Sequence, residues 1–373
     1  MLEVVGLIPS TNGGSDGYYR VNSLIKNYKK TNTFEYQPQG PKILLIFNNL
    51  LGFRSTFKLY FSDGNSGAYE MEPDRFEYSP IVDRPKLRWP NDERVAIWVL
   101  PNVEHYEYLP RLQNVRNPWP RSPHPDILGY GVRDYGNRIG FWRMSDLMDK
   151  HNIRCTVSLN FSVIEHYPEI FEAMEQRNYD YLCHGIYNTR YLWNLSEDDE
   201  REVITNCVET LRNATGKQLQ GWFGPAASFT VNTPDLVAEL GIKYTSDWYH
   251  DDQPFPMKTR SGNPLITVPY SMDINDAIEY RYHTEGDEFA RMICDHFDTV
   301  YREGAESGRV MAIALHPYLY GTPHRIRFLD RALTYIKGHS DVWWATGEEI
   351  ANHYIENHLP IVKKHLQTSE NYL

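Results

Sequence analysis

From residue 93 onward, short apolar runs alternate with stretches whose apolar residues recur at helical spacing. The runs are rich in strand-favouring residues and span 94–101, 153–159, 179–183, 219–223, 242–246, 265–269, 309–315 and 341–346. Helices are predicted between them, over 139–151, 196–214, 232–240, 285–305, 324–337 and 347–359. Because the runs are continuously apolar, they are typical of parallel strands covered by helices.

The number of strand–helix units decides between a barrel and an open sheet. Seven or eight units within about 270 residues favour a (β/α) barrel. The strands differ in length and the connection over 101–138 is long, so we expect a distorted (β/α)7–8 barrel. Residues 1–80 are turn-rich with two strand candidates. We therefore divide the chain into a β-rich N-terminal extension (1–80), the α/β barrel (81–360) and a C-terminal tail (361–373).

Charge and cysteine usage narrow the class of protein. The chain has 49 Asp and Glu against 38 Lys and Arg, which argues against a nucleic-acid partner because such binding needs a basic surface. No apolar run is long enough for a membrane span, and no signal peptide is evident. The four cysteines form no C-x-x-C pair, so we interpret them as free thiols. These features predict a cytoplasmic protein without a membrane partner.

Aromatic residues are abundant, with 27 Tyr, 15 Phe and 9 Trp. One interpretation places them in the core and at a subunit interface. The other is an aromatic pocket for a small ring-shaped or sugar-like substrate. Both interpretations stand at this point.

Polar side chains follow nearly every predicted strand. In a (β/α) barrel, the carboxyl ends of the strands surround the active site. We therefore expect these side chains to converge: Glu104, His105, Asn160, His184, Asp247, Tyr270, Asp276 and His316.

These groups suit hydrolysis of an amide-type carbonyl. Glu104 is predicted to act as general base, with a pKa raised toward neutrality by an enclosed site. His316 is predicted to protonate the leaving nitrogen. Asp247 is expected to orient a histidine or stabilise its charge. A metal held by His184 with His105 or Asn188 is a further hypothesis for polarising the carbonyl.

Structural interpretations exist for the same residues. His184 and His316 could be buried hydrogen-bonding side chains at strand ends, and residues 104–107 could form a solvated loop. The glycine-rich segment 129–138 lacks the preceding strand and the spacing of a phosphate-binding loop, so a nucleotide site is not predicted.

At these strand ends the chain resembles the NodB-type polysaccharide deacetylase superfamily, and in particular its metal-independent allantoinase and cyclic-imide hydrolase branch. The resemblance covers roughly residues 85–350 and rests on 135–160, "CHGIYN" (183–188), "GWFGPAAS" (221–228), 240–255, "VPYSMDINDA" (268–277) and "IALHPYLYGTPHR" (313–325). It implies a distorted (β/α) barrel that hydrolyses a non-peptide carbon–nitrogen bond.

The resemblance also implies roles for particular positions. The Asp-Asp pair of the deacetylases, a general base followed by a metal ligand, falls on Glu104 and His105. Their His-x-x-x-His metal motif falls on His184 and Asn188, and the strand-end acid falls on His316. The arginine that orients the base is replaced by Phe223. Two of the three metal positions have changed type, and asparagine is a poor zinc ligand.

These departures favour a cyclic amide, ureide or imide as the small-molecule substrate. Trp222 and Phe223 would form an apolar wall, and Asn188 and Tyr270 would contact the substrate. For the cofactor two alternatives remain, one divalent metal such as zinc held by His105 and His184, or no metal. Two other functions remain open, a metal-dependent deacetylase of N-acetylated carbohydrate and a non-catalytic ligand-binding barrel. The related allantoinases assemble, which together with the aromatic surplus predicts a homo-oligomer.

Overall fold

The computed structural model describes residues 33–36, 42–46 and 58–62 as strand backbone, together with residues 74–110 and 125–370. Two units divide the chain, one of residues 1–73 with 369–373 and one of residues 74–368. In the first unit three strands, β1 (Thr33–Tyr36), β2 (Lys42–Ile46) and β3 (Lys58–Ser62), form an antiparallel sheet in the order β1-β2-β3. The sequence predicted only two strands in this region.

The second unit is built on one sheet. Its strands are β4 (Val95–Val103), β5 (Thr156–Leu159), β6 (Asp180–Cys183), β7 (Gly221–Trp222), β8 (Tyr244–Thr245), β9 (Phe255–Met257), β10 (Leu265–Thr267), β11 (Arg309–Leu315) and β12 (Val342–Trp344). The order across the sheet is β11-β4-β5-β6-β7-β8-β10-β9, and β12 also pairs with β4. All pairings are parallel except that of β9 with β10. The carboxyl ends of eight strands therefore share one edge.

Helices follow most of these strands. They are α1 (Ile127–Tyr135), α2 (Phe141–Lys150), α3 (Ser162–His166), α4 (Pro168–Gln176), α5 (Glu197–Thr215), α6 (Thr233–Glu239), α7 (Asp276–Glu279), α8 (Gly286–Gly304), α9 (Pro317–Tyr320), α10 (Ile326–Lys337), α11 (Gly347–Asn357) and α12 (Leu359–Glu370), with a π-helical turn over Gly136–Gly140. The Ser196 side chain caps the start of α5 by accepting a hydrogen bond from the N–H of Asp199. Asn232, which precedes α6, makes no such bond with its side chain.

The predicted fold class is confirmed, with one difference in how the sheet ends. All eight predicted strands are present, and β9 was missed because its three residues include Pro256. Strands β9 and β11 lie at the two ends of the sheet order. The backbone N–H of Val310, in β11, donates to the carbonyl of Asp252, three residues before β9, at 2.8 Å. The sheet is thus a distorted, partly open barrel.

Alternating residues of β4 lie in two different hydrophobic clusters. In β4, Val95, Ile97 and Val99 pack in a cluster that includes helix residues, such as Phe141 of α2 and Phe289 of α8. The intervening Ala96, Trp98 and Leu100 join the second cluster, which contains Tyr244, Ile266 and Ala312 from other strands. Side chains of successive strand residues point to opposite faces, so β4 contributes to both clusters.

Two glycines let the helical turn after α1 approach the strand-end segment that carries His316. A Cβ on Gly140 would lie 2.0 Å from the carbonyl oxygen of Pro317, and one on Gly136 would lie 2.9 Å from the backbone nitrogen of Tyr318. Because no side chain fits at these contacts, the glycines determine how closely α9 packs on this turn. The segment 129–138, which is glycine-rich in the sequence, is helical in the structure.

No helix among the described residues is both long and apolar enough to cross a membrane.

Candidate active site

Glu104 is the first residue after β4, and its side chain is only 5% exposed. Asn160, which follows β5, holds two neighbouring strand ends together. Its side-chain oxygen accepts from the N–H of His105 at 2.9 Å, and its side-chain nitrogen donates to the carbonyl of His184. The parallel register thus brings Glu104 and His184 to the same edge of the sheet.

Two histidines face the same oxygen of Glu104. The Nε2 atom of His316 lies 3.4 Å from Glu104 Oε1, and the Nε2 atom of His184 lies 3.7 Å from it. Both histidines come directly after buried strands, β11 and β6. The structure therefore brings together the predicted base, the predicted acid and His184. Glu104 and His316 are 212 residues apart in the sequence.

Asp276, to which the sequence assigned no role, holds the other side of His316. The His316 Nδ1 atom donates to Asp276 Oδ1 at 2.6 Å, and the His316 backbone N–H donates to Asp276 Oδ2 at 2.8 Å. The loop before α7 is anchored on β11, where Ala314 N–H donates to the carbonyl of Ile274. The position of Asp276 shortly after a strand end was the only signal in the sequence.

Neighbouring charges shift the pKa values of Glu104 and His316 in opposite directions. Burial alone raises the pKa of Glu104, but His316 and His184 outweigh burial and hold that pKa well below its ordinary value. Burial lowers the pKa of His316, but Glu104 and Asp276 outweigh it and raise that pKa to about 10. At neutral pH, Glu104 is ionised and His316 is protonated. The expectation that the pKa of Glu104 rises was therefore wrong, because two histidines face its carboxylate.

The tautomer of His184 follows from its backbone partner. Its Nδ1 atom lies 3.1 Å from the carbonyl oxygen of Phe223, which can only accept, so Nδ1 carries a proton. The Nε2 atom is left facing Glu104. The ring of Phe223 also stacks on the His184 imidazole, with centroids 4.8 Å apart and planes at 19°.

The second oxygen of Glu104 has a partner that the sequence did not reveal. The Tyr106 hydroxyl donates to Glu104 Oε2 at 2.8 Å, and the Asn188 side-chain nitrogen donates to the Tyr106 oxygen. Residues two apart in an extended segment share a face, which is the signal that could have identified Tyr106. Asn188 Oδ1 is buried and has no hydrogen-bond partner in the described part of the chain.

Of the predicted apolar wall of Trp222 and Phe223, only Phe223 lies beside the site, where it packs against Tyr270, the predicted substrate contact. Phe223 and Tyr270 have ring centroids 4.7 Å apart, and the Tyr270 hydroxyl accepts a hydrogen bond from Asn102 at 3.0 Å. Trp222 is fully buried in the first cluster, the one that contains Phe141 and Phe289. Because Trp222 and Phe223 are successive strand-end residues, they point to opposite faces, and only Phe223 reaches His184.

Asp247 is buried behind the site without a hydrogen bond to either site histidine. Its Oδ1 accepts from the N–H of Gly224 at 2.8 Å, and its Oδ2 accepts from the Thr245 hydroxyl at 2.6 Å. Burial raises the pKa of this carboxyl to about 6. Asp247 thus supports the backbone that follows Phe223.

His105 points away from Glu104. Its Nδ1 pairs with the Ser162 hydroxyl at 3.0 Å, and its ring packs 4.8 to 5.2 Å from the rings of His166, Tyr167 and Tyr187. Burial, reinforced by the nearby His166, lowers the pKa of His105 to about 4. Successive residues at the end of β4 point to opposite sides, so one strand end does not bring Glu104 and His105 to the same point.

The predicted metal positions do not fit a metal centre in this arrangement. His105 faces Ser162, His184 faces Glu104, and the Asn188 amide nitrogen is bonded to Tyr106. Within the described ranges no three or more His, Cys, Asp or Glu side chains are grouped so that they could hold a metal ion. The groups that do converge are a carboxylate and two imidazoles, which can move protons at a carbonyl.

Comparison with known proteins shows what this chain is similar to. Residues 133–245 match the model of the polysaccharide deacetylase family. A Schizosaccharomyces pombe protein whose name places it among polysaccharide deacetylases is 28% identical over 301 residues, which cover 72% of this chain and 93% of that protein.

Two solved structures are similar over most of their length. One is a Pseudomonas aeruginosa PAO1 protein whose structure is described as that of a polysaccharide deacetylase, with 29% identity, a TM-score of 0.63, and coverage of 74% of this chain and 95% of that one. The other is PuuE allantoinase, with 28% identity, a TM-score of 0.63, and coverage of 75% and 95%.

Proposed function

Because this chain is similar to polysaccharide deacetylases and to PuuE allantoinase, we propose that it is a hydrolase of carbon–nitrogen bonds that opens a cyclic amide, ureide or imide. One observation carries the proposal. An ionised Glu104 and a protonated His316 lie 3.4 Å apart, each in the protonation state that a base and an acid need before reaction.

In the first step, a water molecule beside Glu104 Oε1 attacks the carbonyl carbon of the substrate. Glu104 takes one proton from this water as the new carbon–oxygen bond forms, and the carbonyl electrons move onto its oxygen. The Nε2 atom of His184 flanks the same carboxylate oxygen at 3.7 Å and orients the water. Holding water and carbonyl in one geometry removes much of the entropic cost of their encounter.

In the second step, the carbon–nitrogen bond breaks. His316 Nε2 donates its proton to the departing nitrogen, and the proton taken by Glu104 returns to His316 after product release. Asp276 holds Nδ1 of His316 at 2.6 Å, so that Nε2 faces the substrate. The product is one open-chain molecule. It carries a new carboxylic acid, which releases its proton to solvent, and the protonated leaving nitrogen, which belongs to an amine, an amide or a ureido group according to the substrate.

The substrate class is supported by the side chains around this pair. Phe223 stacks on His184 and contacts Tyr270, which gives a wall suited to a flat ring. Asn188 Oδ1, buried and without a partner among the described residues, is an acceptor suited to an N–H group of a ureide or imide. Asp247 supports the Phe223 loop and so positions the wall.

The test is the turnover of hydantoins, cyclic imides and allantoin by four single variants. Glu104→Gln and His316→Ala should each lower kcat by about a hundred- to ten-thousand-fold while the fold is kept. Glu107→Gln, whose carboxylate binds Arg190 nearby, and the exposed His324→Ala should retain activity. Normal turnover by Glu104→Gln or His316→Ala would reject the proposal.

A second candidate is removal of the acetyl group from an N-acetylated carbohydrate. It is favoured by the names of the S. pombe and P. aeruginosa relatives. N-acetylglucosamine oligomers assayed beside the cyclic amides separate the two candidates. Acetate release without ring opening would support the second one.

We also propose that the protein works in a reducing compartment and forms a homo-oligomer. All four cysteines are described, and none forms a disulfide, which supports a reducing compartment such as the cytoplasm. A homo-oligomer is proposed from the aromatic content of the chain. Light scattering of the purified protein tests it.

A further inference from the structure

The two oxygens of Glu104 have different partners. Oε1 faces the Nε2 atoms of His316 and His184, whereas Oε2 accepts the hydroxyl proton of Tyr106 at 2.8 Å. A carboxylate rotates about its last carbon–carbon bond unless both oxygens are held. The Tyr106 bond therefore decides which oxygen is presented to the histidines.

The direction of the Tyr106 proton is determined by a second hydrogen bond. The Asn188 side-chain nitrogen donates to the Tyr106 oxygen, so the single hydroxyl proton is left for Glu104. Burial and the negative charge of Glu104 both raise the pKa of Tyr106 above its ordinary value. Tyr106 thus remains a donor throughout the pH range in which an enzyme works.

Residues of α1 and of the helical turn after it contact Tyr106 and Glu104. The guanidinium carbon of Arg133, on α1, lies 4.3 Å from the ring centroid, within the range of a cation–π contact. The Asn137 side-chain nitrogen donates to the backbone carbonyl of Glu104 at 2.9 Å. The helical segment 127–140 therefore supports both the base and its hydroxyl partner.

We propose that Tyr106 is the positioning residue of the general base, holding Glu104 so that Oε1 points at the water and at His316. This inference rests on the proposed role of Glu104. Tyr106 keeps its own proton throughout the reaction, and Glu104 Oε1 exchanges the proton with water. Phe223, which has no hydrogen-bond donor on its side chain, stacks on His184 and orients no carboxylate.

The experiment compares Tyr106→Phe, which removes only the hydroxyl, with Tyr108→Phe, which alters a tyrosine that is 47% exposed and packs on Tyr130. Tyr106→Phe should lower kcat by about 10- to 100-fold with little change in KM, the range expected for a lost hydrogen bond to a charged group. The acid limb of kcat/KM should move to higher pH, because the carboxylate loses a donor that stabilises its charge. Tyr108→Phe should match the wild type in both measurements.

A double variant separates positioning from general loss of structure. In a Glu104→Gln background, Tyr106→Phe should cause no further loss of the residual rate, because Tyr106 acts only through Glu104. Additive losses, or an unchanged kcat and acid limb in Tyr106→Phe alone, would overturn the proposal.

Crystal structures of the wild type and Tyr106→Phe keep this test independent of turnover. Rotation of the Glu104 carboxylate away from His316 in the variant is the expected result, and an unmoved Glu104 contradicts the role of Tyr106. A wild-type chain that turns over none of the cyclic amides would refute the proposed function but would leave this comparison decisive for Tyr106.

Discussion

His316 and Asp276 form a two-point contact in which the imidazole Nδ1 and the backbone N–H of the histidine both donate to one carboxylate, at 2.6 and 2.8 Å. The contact joins the end of β11 to the start of α7, and both side chains are nearly inaccessible, with 8% and 0% exposed. It fixes the ring so that Nε2 faces Glu104. The same contact contributes to the high pKa of His316.

Replacing Asp276 should change the alkaline limit of activity. The pKa of His316 is raised from 6.5 to about 10, so its acid function is present at neutral pH and lost as the pH rises through about 10. In Asp276→Asn the basic limb of kcat/KM should move to lower pH, because a negative charge beside the ring is lost. The pH profile of the variant against Asp273→Asn, a neighbouring exposed carboxylate, measures the shift. A basic limb unchanged from the wild type would contradict it.

The same pKa predicts how stability depends on pH. A group whose folded pKa is raised stabilises the folded state below its unfolded pKa and loses that contribution as the pH rises through the folded pKa. We therefore expect the free energy of unfolding to fall between pH 6.5 and about 10 by a contribution from His316. Urea titrations of the wild type and His316→Gln across this range should converge at the alkaline end. Parallel curves at every pH would be inconsistent with this contribution.

Removing metal should leave turnover of cyclic amides intact. The donor groups of His105, His184 and Asn188 are bonded to different partners, and the reaction proposed here uses only side-chain proton transfers. Dialysis against a chelator, followed by elemental analysis and assay, should give unchanged kcat and less than one metal ion per chain. Loss of activity that zinc restores would instead support the deacetylase candidate.

Two helical glycines should respond in opposite ways to alanine. Gly140→Ala places a Cβ 2.0 Å from the carbonyl oxygen of Pro317 and should destabilise the fold by about 1–3 kcal/mol. Gly131→Ala, inside α1 with no heavy atom within 4 Å of the new Cβ, should be neutral or stabilise by up to about 1 kcal/mol. Thermal unfolding of both variants measures the difference. Equal stabilities would show that the helical turn can move away from α9 at little cost.

The adjacent aromatics Trp222 and Phe223 should separate stability from substrate binding. Trp222→Phe leaves a cavity between sheet and helices and should cost about 1–3 kcal/mol with little effect on KM. Phe223→Leu removes the ring stacked on His184 and should raise KM with a smaller effect on stability. Steady-state kinetics and urea unfolding measure both effects. A larger rise of KM in Trp222→Phe than in Phe223→Leu would contradict the wall described here.

Much of the fold could be predicted from local patterns. Continuously apolar runs identified eight strands, and β11 has the predicted bounds of 309–315. Boundaries moved where tertiary pairing extended or shortened a strand, as for β4, which continues through Val103 to the residue before Glu104. The helices α3 and α4 were missed, and β9 escaped notice because a proline interrupts a three-residue strand.

Part of the site could be predicted from the positions of the strand ends. Glu104, His184 and His316 were expected together because the carboxyl ends of parallel strands share one edge. His105 was placed beside them because the family resemblance puts a metal ligand at that position, and Trp222 was placed there as part of the apolar wall. The alternation of side chains at a strand end sends each of those two to the opposite side from its neighbour.

By itself, the sequence determined the apolar runs, their parallel arrangement and the kinds of side chain that follow each strand, because these depend on local periodicity and on the geometry of strands. Only the tertiary structure decided that Asp276 binds His316, that the Tyr106 hydroxyl binds Glu104, and that the pKa of Glu104 falls. Hydrogen bonds between loops, and the balance of burial against nearby charge, depend on distances of a few ångströms between residues that are far apart in the chain.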